Sequence, residues 1–372
     1  MPRDVSIVVV PSTFCNLRCS YCYELPLLAD KTRIVGDDLV AMFEHLARFF
    51  RERKIDNARI IWHGGEPLLL PPDYFWKAFE IQKRACAGLD TKVTHCTQSN
   101  LTVIDEERMT LIRDGFAYVG VSLDMFGSLR VNAAGDCKEH LALANLERLR
   151  GRGIPLTGIT TLHKGNRRFV REIYEFYAER SMNFRLLPLY RGDYEAGQWF
   201  EIAPRDTLRA FCTMADLWLE NPLGPVIHPV SKIIRQVFEA LEGRKTPVFD
   251  KRAFEPLLVI DRDGLLYPFS DMRSKGGAYG NVFEHPISKL LSTEVHERHL
   301  ADTETRIAKT CGSCEHWGES CNGSFVADQT MDFWDREADG TPRCTAYKGL
   351  VDHVKRRLED NGVGRAAALM NC

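Results

Sequence analysis

The sequence predicts an α/β fold with a mostly parallel sheet, followed by a smaller cysteine-rich domain. Six β-rich runs alternate with six helical patterns before residue 220. A stretch rich in proline ends this alternation, and four cysteines follow between residues 311 and 344. Successive strand–helix units run parallel with their helices outside, because the crossover between them is right-handed in nearly all cases. The periodicity does not decide between an incomplete barrel and an open doubly wound sheet.

The six strand–helix units follow one another in regular order. The β-rich runs are residues 6–10, 59–63, 92–98, 117–123, 156–162 and 183–189. The helical patterns cover residues 37–53, 73–85, 105–113, 138–150, 168–180 and 205–219. In the first helix, apolar residues at 39, 42, 43, 46, 49 and 50 recur every three to four residues, which indicates one buried face.

The alternation ends at residues 221–229, where three prolines and a glycine interrupt it. A helix is predicted at 231–242, a hairpin at 256–269 with its turn near Asp263-Gly264, and a last helix at 346–360. We therefore predict a barrel-like domain at 1–225, a helical linker at 226–255, a cysteine-rich domain at 256–360 and a flexible tail at 361–372.

The composition bears on partners and location. With 49 basic and 51 acidic side chains, we expect no nucleic-acid partner, which would need a clustered basic surface. No apolar run approaches the ~18 residues that span a bilayer, so we expect no membrane partner. The first residues lack the apolar run of a secretory signal, and we expect a cytoplasmic protein. Twelve cysteines in such a protein more often bind metal or do redox chemistry than form disulfides.

Cys15, Cys19 and Cys22 lie within eight residues, directly after the first predicted strand. We interpret three thiolates this close together as ligands on a loop around a metal. Iron–sulfur clusters commonly have four cysteine ligands, and three ligands leave one iron open for a small molecule. A zinc loop completed by a distant residue is the alternative, although the spacing and the position favour iron.

This Cys-x3-Cys-x2-Cys pattern, with Tyr21 before its third cysteine, resembles the signature of the radical S-adenosylmethionine superfamily. The resemblance covers residues 5–220 and implies a partial (β/α)6 TIM-like barrel. It also implies one [4Fe–4S] cluster whose open iron binds S-adenosylmethionine. Reductive cleavage of this cofactor gives a 5′-deoxyadenosyl radical that abstracts a substrate hydrogen. Such an enzyme needs an electron donor such as flavodoxin or ferredoxin.

Further positions match the elements of this family that contact the cofactor. The resemblance implies that S-adenosylmethionine is bound by Tyr21, Gly64, Gly65, Glu66, Asn100, Ser122 and Arg130. The two glycines would let backbone groups approach the methionine ammonium, and Glu66 would complete its hydrogen bonding. Asn100 could equally cap the helix predicted at 105–113.

A second group of four cysteines lies near the carboxyl end. Its members are Cys311, Cys314, Cys321 and Cys344. Four thiolates make a closed site for either zinc or an iron–sulfur cluster. The spacing resembles the SPASM extension of radical enzymes that modify peptides, which carries two auxiliary clusters. Phe269 and Phe325 stand where that extension has ligands of its inner cluster. The resemblance therefore implies a small C-terminal iron–sulfur (SPASM-like) domain with one auxiliary [4Fe–4S] cluster, in a structural or electron-transfer role.

Three other features have competing interpretations. Asp271 follows Phe269 closely and is a candidate catalytic base, although a solvated turn aspartate is the alternative. The aromatic-rich stretch 190–200 could hold a peptide or pack against the second domain. His296 and His299 lie three apart on a predicted helix and are expected to be surface residues.

These observations predict a maturase that modifies a ribosomally made precursor peptide. The radical would abstract a side-chain or α-hydrogen, and an intramolecular crosslink would follow. The crosslink would be carbon–carbon or carbon–heteroatom. Residues 185–190 and Cys321-Asn322-Gly323 resemble the corresponding segments of cyclophane-forming maturases, which implies a crosslink to an aromatic ring. The alternatives are oxidation of a serine or cysteine, as in sulfatase maturases, and peptide epimerisation. A non-catalytic metal-bound scaffold is the alternative from another class.

Overall fold

The computed structural model describes residues 3–190, 199–269, 276–327, 336, 338, 340 and 343–361. The chain forms two compact units. The first unit comprises Met1–Ser122, Leu129–Leu156 and Arg252–Leu300. The second unit comprises Leu123–Ser128, Thr157–Lys251 and Ala301–Cys372. Within the part of the chain that the structure describes, no helix combines the length and the apolar character needed to cross a bilayer.

Strands and helices alternate as the sequence predicts. The strands are β1 Asp4–Ser12, β2 Asn57–Gly64, β3 Lys92–Ser99, β4 Val119–Ser122, β5 Leu156–Leu162, β6 Phe184–Pro188, β7 Ile227–His228, β8 Leu257–Ile260, β9 Leu265–Tyr267 and β10 Gly280–Asn281. The helices are α1 Gly36–Arg53, α2 Pro72–Ala85, α3 Glu106–Gly115, α4 Glu139–Arg150, α5 Val170–Glu179, α6 Pro204–Glu220, α7 Val230–Leu241, α8 Ile287–Leu290, α9 Glu294–Cys311, α10 Ser324–Ala327 and α11 Thr345–Asn361. All six predicted strand–helix pairs are confirmed.

The first unit is built on seven strands in the order β10-β9-β8-β1-β2-β3-β4. Strands β8, β1, β2, β3 and β4 are parallel to their neighbours, and the β8–β9 and β9–β10 pairs are antiparallel. The alternating apolar side chains of β1 and β2, such as Ile7, Ile60 and Trp62, are fully buried. The apolar positions predicted for α1 are all buried, which confirms the helix face read from the sequence.

The predicted hairpin at 256–269 is present as β8 and β9, with Gly264 in its turn at φ +81°. A β-carbon on Gly264 would lie 2.3 Å from Asn281 Oδ1, so this turn requires glycine for both its backbone angle and its packing. Strand β8 pairs in parallel with β1, from Ser6↔Leu257 to Val9↔Ile260. The hairpin therefore extends the sheet that carries the first cysteine loop. The predicted domain boundaries near 225 and 256 stay a prediction.

The expectation that His296 and His299 are surface residues is wrong. Their exposed fractions are 7% and 4%. His296 Nε2 lies 3.0 Å from Glu255 Oε2, and Tyr279 donates to the other oxygen of Glu255 over 3.0 Å. A buried carboxylate supplies the partner that lets a polar imidazole face inward. The two histidines therefore lie on the inner face of α9. Their helical spacing predicted that they share a face, but the sequence alone does not show which face of this helix is covered.

The second unit contains the strands β5-β6-β7, which are parallel, with helices α5, α6, α7 and α11. Tyr177 of α5 fills the space above Gly158, where a β-carbon would lie 2.1 Å from its ring. Its hydroxyl bonds Thr160 Oγ1 over 2.8 Å, and its ring stacks on Phe184 with centroids 4.3 Å apart. Helix α11 packs on α6 and α7, which positions the residue that precedes it, Cys344.

Candidate functional site

The loop after β1 carries Cys15, Cys19 and Cys22. The first two are buried, the third is half-buried, and all three pack in one cluster. The backbone N–H of Cys15 donates to Leu28 O over 3.1 Å, which closes the loop, and the N–H of Cys22 donates to Cys19 O over 2.9 Å. The structure thus brings the three predicted ligands together.

Burial dominates the electrostatics of this loop. It raises the pKa of Cys15 to about 12 and that of Cys22 to about 12. Thiols in such surroundings stay protonated at neutral pH unless a cation stabilises the thiolate, and bound metal does this. Three thiols gathered in one cluster are the donor set of an iron–sulfur cluster with an open iron, so the residues present fit that group.

A second segment of the chain, residues 129–131, forms hydrogen bonds with the cysteine loop. The N–H of Arg18 donates to Val131 O over 2.6 Å, and the N–H of Ser20 donates to Leu129 O over 3.0 Å. The residue between these two acceptors, Arg130, donates from Nη1 to the hydroxyl of Tyr21 over 3.1 Å. The sequence separates Tyr21 and Arg130 by more than a hundred positions, and the structure places both predicted cofactor residues side by side.

The Gly-Gly-Glu segment follows β2. A β-carbon on Gly65 would lie 2.2 Å from Thr13 O, and one on Gly64 would lie 2.3 Å from Ser12 O. Both contacts are with backbone, so the two glycines let the end of β2 approach the start of the cysteine loop. This adds a structural reason for the glycines beside the cofactor contact predicted from the resemblance.

Glu66 is 2% exposed and accepts three hydrogen bonds within the protein. Its Oε1 accepts from Leu68 N over 3.0 Å and from Ser99 Oγ over 2.9 Å, and its Oε2 accepts from Asn100 N over 2.7 Å. Burial raises the pKa of Glu66, against these donors and the charge of Arg130. A carboxylate has about four acceptor positions, so one on Oε2 is left for a ligand ammonium.

Asn100 links Glu66 to the cysteine loop. Its Nδ2 donates to Asn16 Oδ1 over 3.1 Å and lies 3.9 Å from Cys15 Sγ, while its Oδ1 accepts from Thr102 N over 2.9 Å. The alternative role as a helix cap is wrong, because the N-cap of α3 is Asp105, which accepts from Arg108 N over 2.8 Å.

Ser122, at the end of β4, accepts from Gln98 Nε2 over 3.2 Å. Both side chains stand at the carboxyl ends of parallel strands, the edge at which Glu66 and Asn100 also lie. Asn16 and Ser99 are members of this network that we did not predict from the sequence. Their position beside Cys15 and Asn100 was the available signal, and only the fold shows that they bond across the site.

The other four cysteines converge in the second unit. Cys311 ends α9, Cys314 and Cys321 lie on the following turns, and Cys344 precedes α11. All four line one cavity, which is otherwise lined mainly by apolar and aromatic side chains, among them Trp317, Phe325, Val326 and Tyr347. Burial raises the pKa of Cys311 to about 12 and that of Cys344 to about 12. Four sulfurs around one cavity fit a closed metal centre.

The two phenylalanines that replace cysteines of the SPASM pattern pack as ordinary aromatic side chains. Phe269 is 7% exposed, and its ring centroid lies 5.8 Å from that of His299. Phe325 stacks on Tyr347 with centroids 3.9 Å apart and planes 10° from parallel. Asp271, the predicted catalytic base, and most of the aromatic-rich stretch 190–200 lie outside the described residues.

Comparison with known proteins defines the class. Residues 9–177 match the family model of the Radical SAM superfamily. The match begins within β1 and includes the cysteine loop, the Gly-Gly-Glu segment and the strand ends described above. Residues 9–177 thus form a radical SAM domain, the domain of enzymes that use S-adenosylmethionine and a [4Fe–4S] cluster, and the predictions of family, enzyme class and cofactor type are confirmed.

Several curated relatives match nearly the whole chain, two sulfatase-maturating enzymes among them. The serine-type anaerobic sulfatase-maturating enzyme of Bacteroides thetaiotaomicron is 21% identical over 95% of this chain and 90% of its own length. The cysteine-type anaerobic sulfatase-maturating enzyme of Clostridium perfringens is 21% identical over 95% of this chain and 97% of its own length.

Several solved structures share the fold. Native anSMEcpe with bound AdoMet and Cp18Cys peptide superposes with a TM-score of 0.75, at 19% identity, over 96% of this chain and 98% of that one. Streptococcus suis SuiB bound to its precursor peptide SuiA superposes with a TM-score of 0.55, at 15% identity, over 81% of this chain and 67% of that one. The predicted fold class is thereby confirmed.

Proposed function

We propose that this enzyme oxidises a serine or cysteine side chain within a peptide or protein substrate. The observation that carries the proposal is the extent of the likeness to serine-type and cysteine-type sulfatase-maturating enzymes. It spans 95% of the chain and at least 90% of each of these two relatives. This reverses the order of our sequence-based hypotheses, in which crosslinking came first.

A peptide substrate is supported by two structures of similar fold. anSMEcpe holds AdoMet together with the Cp18Cys peptide, and SuiB holds its precursor peptide SuiA. The described cysteines are free thiols, and the metal-ligand sets need them reduced. We therefore also propose a cytoplasmic location and an electron-transfer partner such as a flavodoxin or ferredoxin.

The bound cofactors supply a radical that removes one hydrogen atom from a substrate carbon. The chain's own residues have separate tasks. The one acceptor position left on Glu66 binds an ammonium group, and the hydrogen-bonded pair of Tyr21 and Arg130 contacts the bound S-adenosylmethionine. Conversion of a CH–OH group to an aldehyde also releases one proton and one electron. Asp271 remains our candidate for the proton, and the electron passes to the electron-transfer partner.

Crosslinking is the second candidate. The observation that favours it is the packing of Phe269 and Phe325, which occupy positions where the SPASM pattern has ligands of an inner cluster. The SPASM pattern places its inner cluster nearest the substrate. A chain that lacks this cluster would surround the substrate differently, which leaves room for a different reaction. We retain one auxiliary [4Fe–4S] cluster, on Cys311, Cys314, Cys321 and Cys344, as part of both proposals.

The test uses the reconstituted enzyme under anaerobic conditions with S-adenosylmethionine and a reductant. The substrates are sulfatase-derived peptides that carry serine, cysteine or alanine at the oxidised position, and a precursor peptide encoded beside the gene. Serine oxidation predicts a loss of two hydrogens and capture of the new aldehyde by a hydrazide. The alanine peptide is the control and stays unchanged.

Two outcomes would contradict serine or cysteine oxidation. A peptide that loses two hydrogens without hydrazide capture, and whose tandem spectra show a ring, would establish crosslinking. A peptide of unchanged mass that gains deuterium from solvent would establish epimerisation.

A further inference from the structure

The indole N–H of Trp317 is a buried donor without a hydrogen-bond partner among the described residues. Trp317 lines the same cavity as Cys311, Cys314, Cys321 and Cys344. Native proteins rarely leave a buried donor unpaired, and a ligand or ion often supplies the missing acceptor. The cavity beside this donor is the site at which four thiols converge.

Gly323 shows where the indole nitrogen lies. A β-carbon on Gly323 would be 3.1 Å from Trp317 Nε1 and 3.6 Å from Cys311 Sγ. The donor and a ligand sulfur therefore border the same small space, which the glycine leaves free. The backbone N–H of Gly323 itself donates to Cys321 Sγ over 3.5 Å, with φ at +79°. Two N–H donors, one on Trp317 and one on Gly323, thus border this site.

Positive charge lies in the same region. Lys232 Nζ is 5.4 Å from the ring centroid of Phe325, which lines the cavity. Hydrogen bonds to sulfur and nearby positive charge both favour the more negative, reduced form of an iron–sulfur cluster.

We propose that Trp317 Nε1 donates a hydrogen bond to a sulfur of the metal centre held by these four cysteines, and that this bond raises the reduction potential of the centre. The inference rests on the auxiliary [4Fe–4S] cluster of the proposed function. Trp317 is thereby a positioning and tuning residue, since it acts through the cluster and does not contact the substrate. Phenylalanine at position 317 would line the cavity equally well with apolar surface, but it has no N–H to donate.

A second tryptophan provides a matched control. Trp218 also has a buried Nε1 without a partner among the described residues, and it belongs to the same unit. It does not line the four-cysteine cavity. An unpaired indole N–H is therefore not by itself a sign of a ligand. Comparison of variants at Trp218 and Trp317 separates the effect of losing any buried indole N–H from the effect of losing the one beside the cluster.

The test isolates the auxiliary centre in the full-length chain by replacing Cys15, Cys19 and Cys22 with alanine. In this background, Trp317→Phe and Trp218→Phe are reconstituted, and the reduction potential is measured by redox titration followed by electron paramagnetic resonance. We expect Trp317→Phe to keep its iron, to shift the midpoint potential to a more negative value and to lose a hyperfine coupling from an exchangeable proton. Trp218→Phe leaves the potential and the coupling unchanged.

A second variant tests whether altered packing, and not the lost N–H, causes the shift in potential. β-(3-Benzothienyl)alanine at position 317 keeps the shape of the indole and replaces its N–H by sulfur, and we expect the same negative shift from it. An unchanged potential in both Trp317 variants, with the cluster present, would overturn the inference alone. Zinc in place of iron, or no paramagnetic centre in the parent protein, would overturn the proposed auxiliary cluster together with the inference.

Discussion

At the scale of single residues, the hydrogen bonds of His95 fix its protonation state. This residue of β3 is 9% exposed. Its Nδ1 accepts from Trp62 Nε1 over 3.2 Å, so its Nε2 carries the proton and donates to Gln82 Oε1 over 3.2 Å. The ring also lies 4.3 Å from that of Phe79, centroid to centroid. A second proton on Nδ1 would break the bond to Trp62 and place a charge among aromatic rings.

Burial lowers the pKa of His95 from 6.5 to about 3. Between these two pH values the unfolded chain binds the proton and the folded chain does not, so stability falls as the pH falls through this window. At pH 5 the loss attributable to this histidine is about 2 kcal/mol. We expect His95→Gln to weaken the dependence of the thermal midpoint on pH between 7 and 5, whatever its effect at pH 7. Equal pH dependence in the two proteins would refute the assignment.

The position of Glu66 shows how one buried carboxylate can connect several elements. It accepts from the segment after β2 and from two residues at the end of β3. A buried charge is tolerated when donors surround it, and three donors do so here. The sequence shows a Gly-Gly-Glu motif, and the bonds to Ser99 and Asn100 follow only from parallel pairing of β2 with β3.

At the scale of elements, the cysteine loop is held by the ends of strands. The carboxyl ends of β1 and β2 approach so closely that Gly65 has no room for a side chain. The segment at 129–131 accepts backbone hydrogen bonds from Arg18 and Ser20 on the opposite side. A loop fixed at both sides presents its thiols in one arrangement, which a metal cluster requires.

We expect Gly65→Ala to displace the cysteine loop, because the new methyl group would lie 2.2 Å from a backbone oxygen. The measurement is iron per chain after anaerobic reconstitution, which should fall from about eight to about four, the auxiliary cluster being retained. Gly88→Ala is the control. It has open space around it and φ at +78°, so it costs only about 1 kcal/mol of backbone strain and keeps all its iron. Full iron in Gly65→Ala would show that the close approach is not needed.

At the scale of the whole molecule, the two metal sites belong to different compact units. Cys15, Cys19 and Cys22 lie in the first unit, and the four later cysteines lie in the second. Each unit has its own strands and its own buried core. We therefore expect each site to bind metal independently of the other.

The prediction is a separation of functions between two cysteine variants. Cys22→Ala should abolish the formation of 5′-deoxyadenosine and keep the auxiliary iron. Cys344→Ala should lose the auxiliary iron and still cleave S-adenosylmethionine, while oxidation of the peptide falls at least tenfold, which corresponds to about 1.4 kcal/mol. Cys212→Ala, a half-buried thiol of the second unit that does not line the cavity, should change neither activity. Loss of both activities in Cys344→Ala would contradict independent sites.

The sequence by itself determined the order of strands and helices, the buried face of α1 and the composition of both cysteine groups. It could do so because these features are local: helical and strand periodicity, and ligands only a few residues apart, are readable along the chain. The Cys-x3-Cys-x2-Cys loop was sufficient to predict the radical SAM class.

Only the tertiary structure decided which distant residues meet. It brought Arg130 within hydrogen-bond distance of Tyr21, and Glu66 within hydrogen-bond distance of the Asn100 N–H. It also paired β8 with β1 and placed Trp317 near Cys311 of the second cysteine group. It also buried His296 and His299, which helical spacing alone assigned to the surface. These outcomes depend on which faces and strand ends are brought together, and such pairings arise from packing and from the satisfaction of buried polar groups across the whole fold.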